Sequence, residues 1–505
     1  MLDSFLNYSS LLLVAFPAFG AFFLMLIPNS NVRLTHSIAQ SISFTTMIVA
    51  ILSFVFFDPE NSNYQFRQTF EWLNIISINK IISLDLGVDG ISSFMVMLTG
   101  IVMFTGVLSS SSITNRVKDF FILYFVLISG VFGVFVSIDL FFLFFFYELA
   151  VVPMYLLISV WGSSSVFKTF SRTKDYGALK LTLFLVAGSV LIWVGLLSIF
   201  VESNATYFNL IDIKNNGGLS PKFQTFIFPF ILVGFGVLGG LWPFHTWSPD
   251  GHVAAPTSVS MVHAGVLMKL GAYGFLKIGI LLLPEGAQEW MPILLILGTI
   301  NVLYGAISAM GQHDLKYVIG YSSVSHMGYV FMGIGTLHHL GVTGSVMQMF
   351  SHGIMTALFF STLGVIYEKT GSRDINVLEG LAKKMPLITV FFVIAGFASL
   401  GLPSLSGFVS ELLVFLGLFK THPVFGALGV IGAAITAIYI LRLIAKVFFG
   451  PAHNNQNLLT SVTIKDKISS VILVFFVIAI GSVPFPFIAK IENSVHNLLL
   501  LGLGS

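Results

Sequence analysis

The chain has 505 residues, of which 56% are hydrophobic and only 9% are charged, and its mean hydropathy is +0.94. Soluble domains carry about 25% charged residues, so this composition excludes an ordinary water-soluble enzyme and a disordered chain. The formal net charge of +2 gives no sign of nucleic-acid binding, and the sequence has no Cys for disulfides, zinc or iron–sulfur clusters. The composition is typical of a polytopic membrane protein.

A requirement of about 20 apolar residues per crossing predicts about fourteen transmembrane spans and an all-α fold. In chain order the spans lie near residues 8–28, 35–57, 87–110, 119–136, 138–160, 176–201, 224–243, 256–282, 290–309, 317–337, 341–367, 387–418, 423–448 and 469–490. The first Lys or Arg is Arg33, after a full apolar span, so we expect a retained helix and no cleaved signal. The polar connection 58–86 has room for a hairpin.

We predict a single transmembrane domain that contains two inverted five-helix repeats. The parts are the domain 1–505 as a whole, N-terminal helices in 1–118, a first repeat in 119–282, a second repeat in 290–448, and a C-terminal helix and tail in 469–505. The repeats are indicated by Gly/Pro interruptions at 239–243 in the seventh span and 401–404 in the twelfth. Paired interruptions of this kind mark inverted repeats and a mid-membrane ion site.

The basic residues of the loops predict the orientation. With an even number of spans, both termini lie on one side of the membrane. If the 29–34 loop is cytoplasmic, the loops on its side hold most of the loop Lys and Arg residues, among them Arg33, Arg116, Lys168 and Arg373. Positive charge concentrates in cytoplasmic loops. We therefore expect both termini on the non-cytoplasmic side of a bacterial cytoplasmic (inner) membrane.

Three ionisable residues lie near the middle of predicted spans: Glu148 in the fifth, Lys269 in the eighth and Glu411 in the twelfth. Such a residue costs roughly 2.5–3.5 kcal/mol at the bilayer centre and is functional by default. Acids and bases in these surroundings suit a proton-carrying path. The alternative is that a buried Glu–Lys pair only orients the helices.

Histidines extend this set of ionisable residues. His245, His252 and His263 lie around the start of the eighth span, His326 lies in the tenth and His352 in the eleventh. Imidazole gains and loses a proton near pH 7, which suits a relay, although a lone intramembrane His is equally often a hydrogen-bonded packing residue. Their spacing with acids does not match metal ligands, so we expect no metal site.

Five segments have the most distinctive sequences. The longest is Trp-Pro-Phe-His-Thr-Trp-Ser-Pro-Asp-Gly-His-Val-Ala-Ala-Pro-Thr-Ser-Val-Ser at 242–260, and the others lie at 89–100, 147–155, 321–328 and 401–411. Together they resemble the proton-translocating, antiporter-like subunits of respiratory complex I (NADH-quinone oxidoreductase) and of multisubunit cation/proton antiporters. The acid at Glu411 and the chain length favour the subunit-4-like branch, chain M, because the other antiporter-like chains usually carry Lys at that position.

The resemblance implies a proton-moving subunit in the membrane arm of a proton-pumping NADH:quinone oxidoreductase. Such a subunit is a non-redox part of an enzyme and holds no cofactor of its own, while FMN and iron–sulfur clusters are expected in other subunits. Its implied partners are lipid and the other membrane-arm subunits, including two further antiporter-like chains, and no nucleic acid. Quinone reduction elsewhere in the complex would drive the protons.

The resemblance also implies roles for single residues. Glu148 would be the acid near the junction with a neighbouring subunit, Lys269 the central base, and Glu411 the group near the exit or the next subunit. Four further residues match polar positions of the family and complete the predicted site: Lys180, His245, His326 and His352.

One position departs from the family pattern. Seven residues before His245, where the family usually has Lys, this chain has Leu238, so the usual partner of Glu148 is missing. His263 occupies a position that is usually apolar in chain M. We hypothesise that His263 takes over part of the missing charge and relays protons, through water, between Glu148 and Lys269. The rival interpretation is that this subunit pumps poorly.

Two other function classes stay open at this point. A subunit of a multisubunit cation/proton antiporter or of a membrane-bound hydrogenase would share these motifs, although Lys at position 411 would favour that class. A structural membrane scaffold without transport would not need charges at the centre of three spans. The electron donor and the quinone cannot be named from this chain.

The relay hypothesis predicts that His263→Ala lowers proton pumping, because it removes the imidazole that substitutes for the missing lysine. Lys269→Ala, which removes the central base, is the positive control and should abolish pumping. Proton uptake into membrane vesicles at matched electron-transfer rates measures both variants. Intact pumping in His263→Ala beside lost pumping in Lys269→Ala would contradict the relay.

Overall fold

The computed structural model describes residues 6–166, 171–451 and 462–503. Lys168 of the predicted cytoplasmic loops and both ends of the predicted 1–505 domain lie outside the described residues. In the described part, ten helices are long and apolar enough to cross a membrane, or eleven if a bent pair near the C-terminal end counts as one span. The chain is a multi-pass helical membrane protein, as predicted. The count of fourteen, the inverted repeats and the domain division stay predictions.

The helices follow the predicted spans closely. Their bounds are Ser9–Met25, Val32–Val55, Ile76–Ile78, Gly90–Leu108, Val117–Val136, Leu140–Trp161, Lys174–Glu202, Leu210–Asn216, Pro221–Gly239, Phe244–Thr246, Trp247–Ala254, Thr257–Ile280, Pro284–Met310, Leu315–Gly335, His339–Thr370, Leu381–Lys383, Pro386–Ser399, Ser406–Thr421, Pro423–Phe449, Ile464–Ser482 and Phe485–Leu503. The strands are Gln65–Ile75, Lys80–Val88, Ser165–Val166 and Ser171–Arg172. Each predicted span overlaps at least one of these helices, because about 20 residues at 1.5 Å each cover the hydrocarbon layer.

A β-hairpin lies between the second and third spans. Its strands, Gln65–Ile75 and Lys80–Val88, pair antiparallel. Arg67 and Asp85 form a bidentate ion pair across them, with N–O distances of 2.7 and 2.8 Å. The hairpin lies in the polar connection 58–86, where the sequence left room for one, and a two-residue strand pair follows the fifth span. The fold is otherwise helical, as predicted. Outside the apolar spans the backbone is not confined to helices, so polar connections can pair as strands.

The connections gather on two opposite faces of the bundle. The hairpin face contains the hairpin and the loops at 137–139 and 203–220, where a bridge joins Leu86 to Ser137. The opposite face contains the loops at 162–166, 311–314 and 371–375, where a bridge joins Asp314 to Asp374. This alternation fits a chain that crosses the membrane at each span. Which face meets the cytoplasm stays a prediction.

Both predicted helix interruptions are present. After the helix Pro221–Gly239, Gly240 adopts a left-handed φ of +73°. The twelfth span is split into Pro386–Ser399 and Ser406–Thr421, with Gly401 at a φ of +65° between them. Only Gly adopts such angles without strain. Breaks of this kind release backbone polar groups inside the bundle.

The eighth span, Thr257–Ile280, is buried along nearly all of its length and is not a regular α-helix. It contains two π-helical turns, His263–Leu267 and Phe275–Ile280, separated by a regular turn that begins at Lys269. No sequence pattern predicted these turns. π-helical turns are rare and occur often at functional sites, and here they flank the predicted central base.

The last predicted span, 469–490, differs from the structure. The helix Ile464–Ser482 ends before Pro484, and the amphipathic helix Phe485–Leu503 leaves at an angle of 73°. Pro lacks a backbone N–H and disfavours a helical residue before it, so the chain bends there. The second helix packs on the hairpin face, where the Lys490 ammonium donates to the Phe57 carbonyl over 2.6 Å.

The contact between the seventh and eighth spans predicts that Gly271→Ala destabilises the protein. A Cβ added at Gly271 would lie 2.5 Å from both the Gly239 nitrogen and the Phe235 carbonyl oxygen, and this backbone cannot move aside cheaply. Overpacking of this kind costs about 1–3 kcal/mol. We expect a lower melting temperature in detergent than for Gly311→Ala, whose Cβ would meet nothing nearer than 3.7 Å. Equal melting temperatures would contradict the packing argument.

Candidate functional site

Lys269 is fully buried at the centre of the predicted site. Its ammonium group donates to the Ala264 carbonyl and lies 2.8 Å from Nδ1 of His352 on the eleventh span. The first π-helical turn explains the carbonyl contact. There the Met268 N–H points to the His263 carbonyl, 3.4 Å away, so the Ala264 carbonyl is released from the regular helical ladder and accepts from the lysine.

A line of ionisable side chains continues from His352 to Glu411. The His352 and His326 rings stack with centroids 5.5 Å apart. Nδ1 of His326 lies 3.4 Å from Oε1 of Glu411, and Nε2 lies 2.9 Å from Oγ of Ser399. The structure therefore brings together four residues that the sequence placed in the eighth, tenth, eleventh and twelfth spans, namely Lys269, His352, His326 and Glu411.

Neighbouring polar side chains position this line. Gln348 Nε2 lies 3.3 Å from Nδ1 of His326, and its carbonyl oxygen accepts a hydrogen bond from Ser410. At the helix break, a Cβ on Gly401 would lie 2.9 Å from Oε2 of Glu411, so Gly brings the backbone up to the carboxylate. Sequence analysis missed Gln348 and Ser410. The sequence marked these two residues only as polar side chains within apolar spans.

A second buried group is a pair of histidines. The His252 and His263 ring centroids lie 4.0 Å apart, and His263 stacks on Trp247 with centroids 5.2 Å apart. His252 Nε2 lies 3.1 Å from Oγ of Ser248. Three ring nitrogens of this pair have no hydrogen-bond partner among the described residues: both nitrogens of His263 and Nδ1 of His252. These nitrogens can exchange protons without breaking a bond to the protein. Sequence analysis gave His252 no role of its own.

Asp250 holds a cluster of charges near the opposite face. Its carboxylate pairs with Arg172, lies 2.8 Å from the Lys180 Nζ, and accepts a hydrogen bond of 2.8 Å from the Tyr317 hydroxyl. The next residue, Gly251, abuts the His263 ring, since a Cβ there would lie 3.0 Å from Cε1. Lys180 thus belongs to an ion-pair cluster next to the histidine pair. Sequence analysis missed Asp250, although it is the one acid in the 242–260 motif.

In the described part of the chain, His245 and Glu148 form no hydrogen bond or ion pair with these groups. His245 is buried edge-on against Tyr304, with centroids 4.9 Å apart, and neither ring nitrogen has a partner in the described part of the chain. Glu148 is only partly buried on the fifth span. The contacts described for His263 lead to His252 and Trp247 and not to Glu148, so the predicted Glu148–His263–Lys269 relay stays a prediction. Leu238, at the position of the missing lysine, is buried.

The arrangement is suited to moving protons. Within residues 6–166, 171–451 and 462–503, no group of three or more His, Asp or Glu side chains is placed to hold a metal ion. The amines, imidazoles and carboxylates instead follow one another from the Asp250 cluster toward Glu411. Each can take up or release a proton.

Comparison with known proteins relates the whole chain to respiratory subunits. The sequence profile of the family described as NADH:quinone oxidoreductase/Mrp antiporter, TM, matches residues 137–436. NADH-quinone oxidoreductase subunit M of Rickettsia prowazekii is 34% identical over 490 residues, which cover 96% of this chain and 97% of that protein. NAD(P)H-quinone oxidoreductase chain 4-2 of Synechocystis sp. is 34% identical over 453 residues, covering 87% of this chain and 78% of that protein.

Solved structures share the fold. A chain of respiratory complex I from Thermus thermophilus superposes with a TM-score of 0.86 at 23% identity, covering 98% of this chain and 99% of that chain. A chain of the Mrp complex from Dietzia sp. superposes with a TM-score of 0.81 at 18% identity, covering 99% of this chain and 98% of that chain. At sequence identities of 23% and 18%, these superpositions show a shared fold.

The charge cluster predicts that Asp250→Asn strongly destabilises the protein. The substitution leaves Arg172 and Lys180 near the bundle without their carboxylate, and removing one partner of a buried ion pair costs about 3–5 kcal/mol. Melting temperature in detergent measures the loss. Asp119→Asn is the matched control, because Asp119 pairs with Arg116 at 2.9 Å with both side chains exposed, and such pairs contribute about 0–1 kcal/mol. Similar shifts in the two variants would contradict the prediction.

Proposed function

The chain belongs to the NADH:quinone oxidoreductase/Mrp antiporter transmembrane family, and we propose that it is a proton-translocating, antiporter-like subunit in the membrane arm of an NADH:quinone oxidoreductase. The observation that carries this proposal is the buried line Lys269–His352–His326–Glu411. Placing four ionisable side chains within an apolar bundle has a high free-energy cost. Proton transfer gives a reason for placing them in one line.

In the proposed mechanism Lys269 is the central proton carrier. Its ammonium can pass a proton to Nδ1 of His352 over 2.8 Å. An imidazole that accepts a proton on one nitrogen releases one from the other, which moves the charge toward His326. From there the 3.4 Å approach to Oε1 leads to Glu411. The relay runs sideways through the bundle, from the first predicted repeat to the second.

Protons reach Lys269 from the opposite face in this proposal. Asp250 and Lys180 stand at that face, and Gly251 links them to the His263 ring. His263 belongs to the eighth span and its ring pairs with His252, so in this proposal the histidine pair passes protons from the cluster toward Lys269 on the same span. This route gives His263 a place in the relay whether or not it also exchanges protons with Glu148.

Glu148 is proposed to act at the boundary with a neighbouring subunit. The carboxylate is partly exposed on the fifth span and forms no hydrogen bond or ion pair with any residue that the structure describes. With Leu238 in place of the family's lysine, the partner of Glu148 must come from elsewhere. Either His263 compensates for that lysine, or proton transfer at Glu148 is less tightly coupled to the neighbouring subunit.

The energy for pumping is proposed to come from other subunits. Moving one charge against 100 mV takes about 2.3 kcal/mol, which quinone reduction elsewhere in the complex would supply. FMN and iron–sulfur clusters would lie in those subunits, and this chain would act as a non-redox translocase beside two further antiporter-like chains. We place it in a bacterial cytoplasmic membrane with both termini on the non-cytoplasmic side.

A cation/proton antiporter subunit is the second candidate, because the Mrp complex chain shares the fold over 98% of its length. Membrane-bound hydrogenase subunits belong to the same alternative. The 34% identity to subunit M over nearly the whole chain and the acid at Glu411 favour the respiratory complex.

Isolation of the assembled complex tests the proposal directly. The chain is purified from native membranes in mild detergent, co-purifying polypeptides are identified, and NADH:quinone activity is assayed. We expect flavin and iron–sulfur subunits together with that activity. Small hydrophobic partners without redox activity would instead identify a secondary cation/proton antiporter.

Substitution of the central base tests the mechanism. We expect Lys269→Met to assemble normally but to lower proton transfer through the subunit, since a lost proton-transfer group typically costs about 10²–10⁴-fold in rate. Proton uptake by vesicles, relative to electron transfer, measures the change. Lys118→Met is the control, because among the described residues Lys118 donates to the Ile27 carbonyl, over 3.1 Å, and contacts no member of the proposed relay. Equal pumping in both variants would contradict the assigned role of Lys269.

A further inference from the structure

A separate buried ion pair lies near the hairpin face. Lys277, in the second π-helical turn of the eighth span, pairs with Asp89, the residue that caps the helix Gly90–Leu108. The Lys277 side chain is 2% exposed and that of Asp89 16% exposed. Burying two charges is costly even when they pair, and the relay toward Glu411 does not use either of them.

Lys277 continues the face of the eighth span that carries Lys269. Lys269, Tyr273 and Lys277 are spaced four residues apart, so they follow one another over about 12 Å along the helix. The Lys277 Nζ lies 5.7 Å from the Tyr273 ring centroid. Tyr273 therefore stands between the central lysine and the outer ion pair.

A cavity at the hairpin face lies near the ion pair, with Tyr64 between them. Tyr64, which precedes the hairpin, has its ring centroid 5.3 Å from the Lys277 Nζ. Tyr64 also lines a cavity of about 510 Å³, together with the exposed Asn63. The cavity thus reaches from the surface to the neighbourhood of the pair.

We propose that Asp89 and Lys277 form an outward proton gate, at the end of a branch that leaves Lys269 past Tyr273 toward the cavity beside Tyr64. The proposal rests on the proposed function and extends it. It gives the subunit a direct route from the Asp250 cluster on one face to the hairpin face, in addition to the sideways line to Glu411.

The gate operates by transfer of one proton. In the closed state the Asp89 carboxylate holds the Lys277 ammonium. The Lys269 ammonium loses a proton and becomes an amine, and the proton, carried by water past Tyr273, forms an O–H bond on Asp89. The neutral acid no longer holds Lys277 by charge. Asp89 then loses the proton to water in the cavity, and the ion pair closes again.

A second buried ion pair elsewhere in the chain shows what a purely structural role would look like. Asp314 caps the helix Leu315–Gly335 and lies 3.3 Å from Arg373, with both side chains largely buried. It matches Asp89 in position, charge and burial, but it lies on the opposite face and off the proposed branch. Neutralising this pair is therefore the matched control.

The test uses the assembled complex in membrane vesicles. The double variant Asp89→Asn/Lys277→Met removes both charges and leaves no unpaired charge in the bundle. We expect normal assembly and electron transfer with fewer protons moved per electron. Asp89→Glu, which keeps the carboxylate, should retain the ratio, and so should the control Asp314→Asn/Arg373→Met.

The outcomes separate the gate from the proposed function. An unchanged ratio in the Asp89/Lys277 double variant, beside a lowered ratio in Lys269→Met, would overturn the gate and leave the proposed function standing. An unchanged ratio in both would overturn the proposed function too. If the double variant does not assemble, Asp89→Ser decides. It keeps a helix-capping oxygen but removes the carboxylate that takes up the proton, so the ratio should fall, and an unchanged ratio overturns the gate.

Discussion

The cost of charge inside an apolar bundle is the constraint on which the rest of this structure depends. A charged side chain at membrane depth raises the cost of inserting its helix unless it has a partner. Here the partners come from different helices. Asp250 binds cations from the chain after the fifth span and from the sixth, Lys269 meets His352, and Glu411 meets His326. The polar contacts therefore link helices that are distant in the sequence, in addition to the apolar packing between them.

The irregular turns of the backbone serve the same constraint. The break at Gly401 brings main chain up to Glu411, and the π-helical turn at His263–Leu267 changes which carbonyls are available near Lys269. A regular helix satisfies all its own polar groups and has none left for a buried side chain. The irregular turns thus occur where charged side chains need additional hydrogen-bond partners.

The spans, the helix breaks and most ionisable site residues were predictable from sequence, because an apolar run and a charge within it are local signals. Their partners were not. Asp250 lies in a motif whose fold cannot be inferred from spacing, and Gln348 and Ser410 approach His326 only after the tenth, eleventh and twelfth spans have packed. The π-helical turns escaped prediction because they depend on packing around the span. The bend at Pro484 had a local signal in its prolines, yet the apolar run concealed it.

The contact between Lys269 and the Ala264 carbonyl has a consequence for the way this lysine stores charge. A carboxylate partner would stabilise the ammonium and could also remove its proton, because it is itself a base. An amide carbonyl offers a dipole that favours the cation but is too weak a base to take the proton. His352 is then the only contact of the Lys269 ammonium, among those described, that can accept the proton. The backbone thus stabilises the ammonium without taking its proton. Direct transfer goes to His352, the base that the lysine contacts, whereas the proposed branch toward Asp89 depends on water.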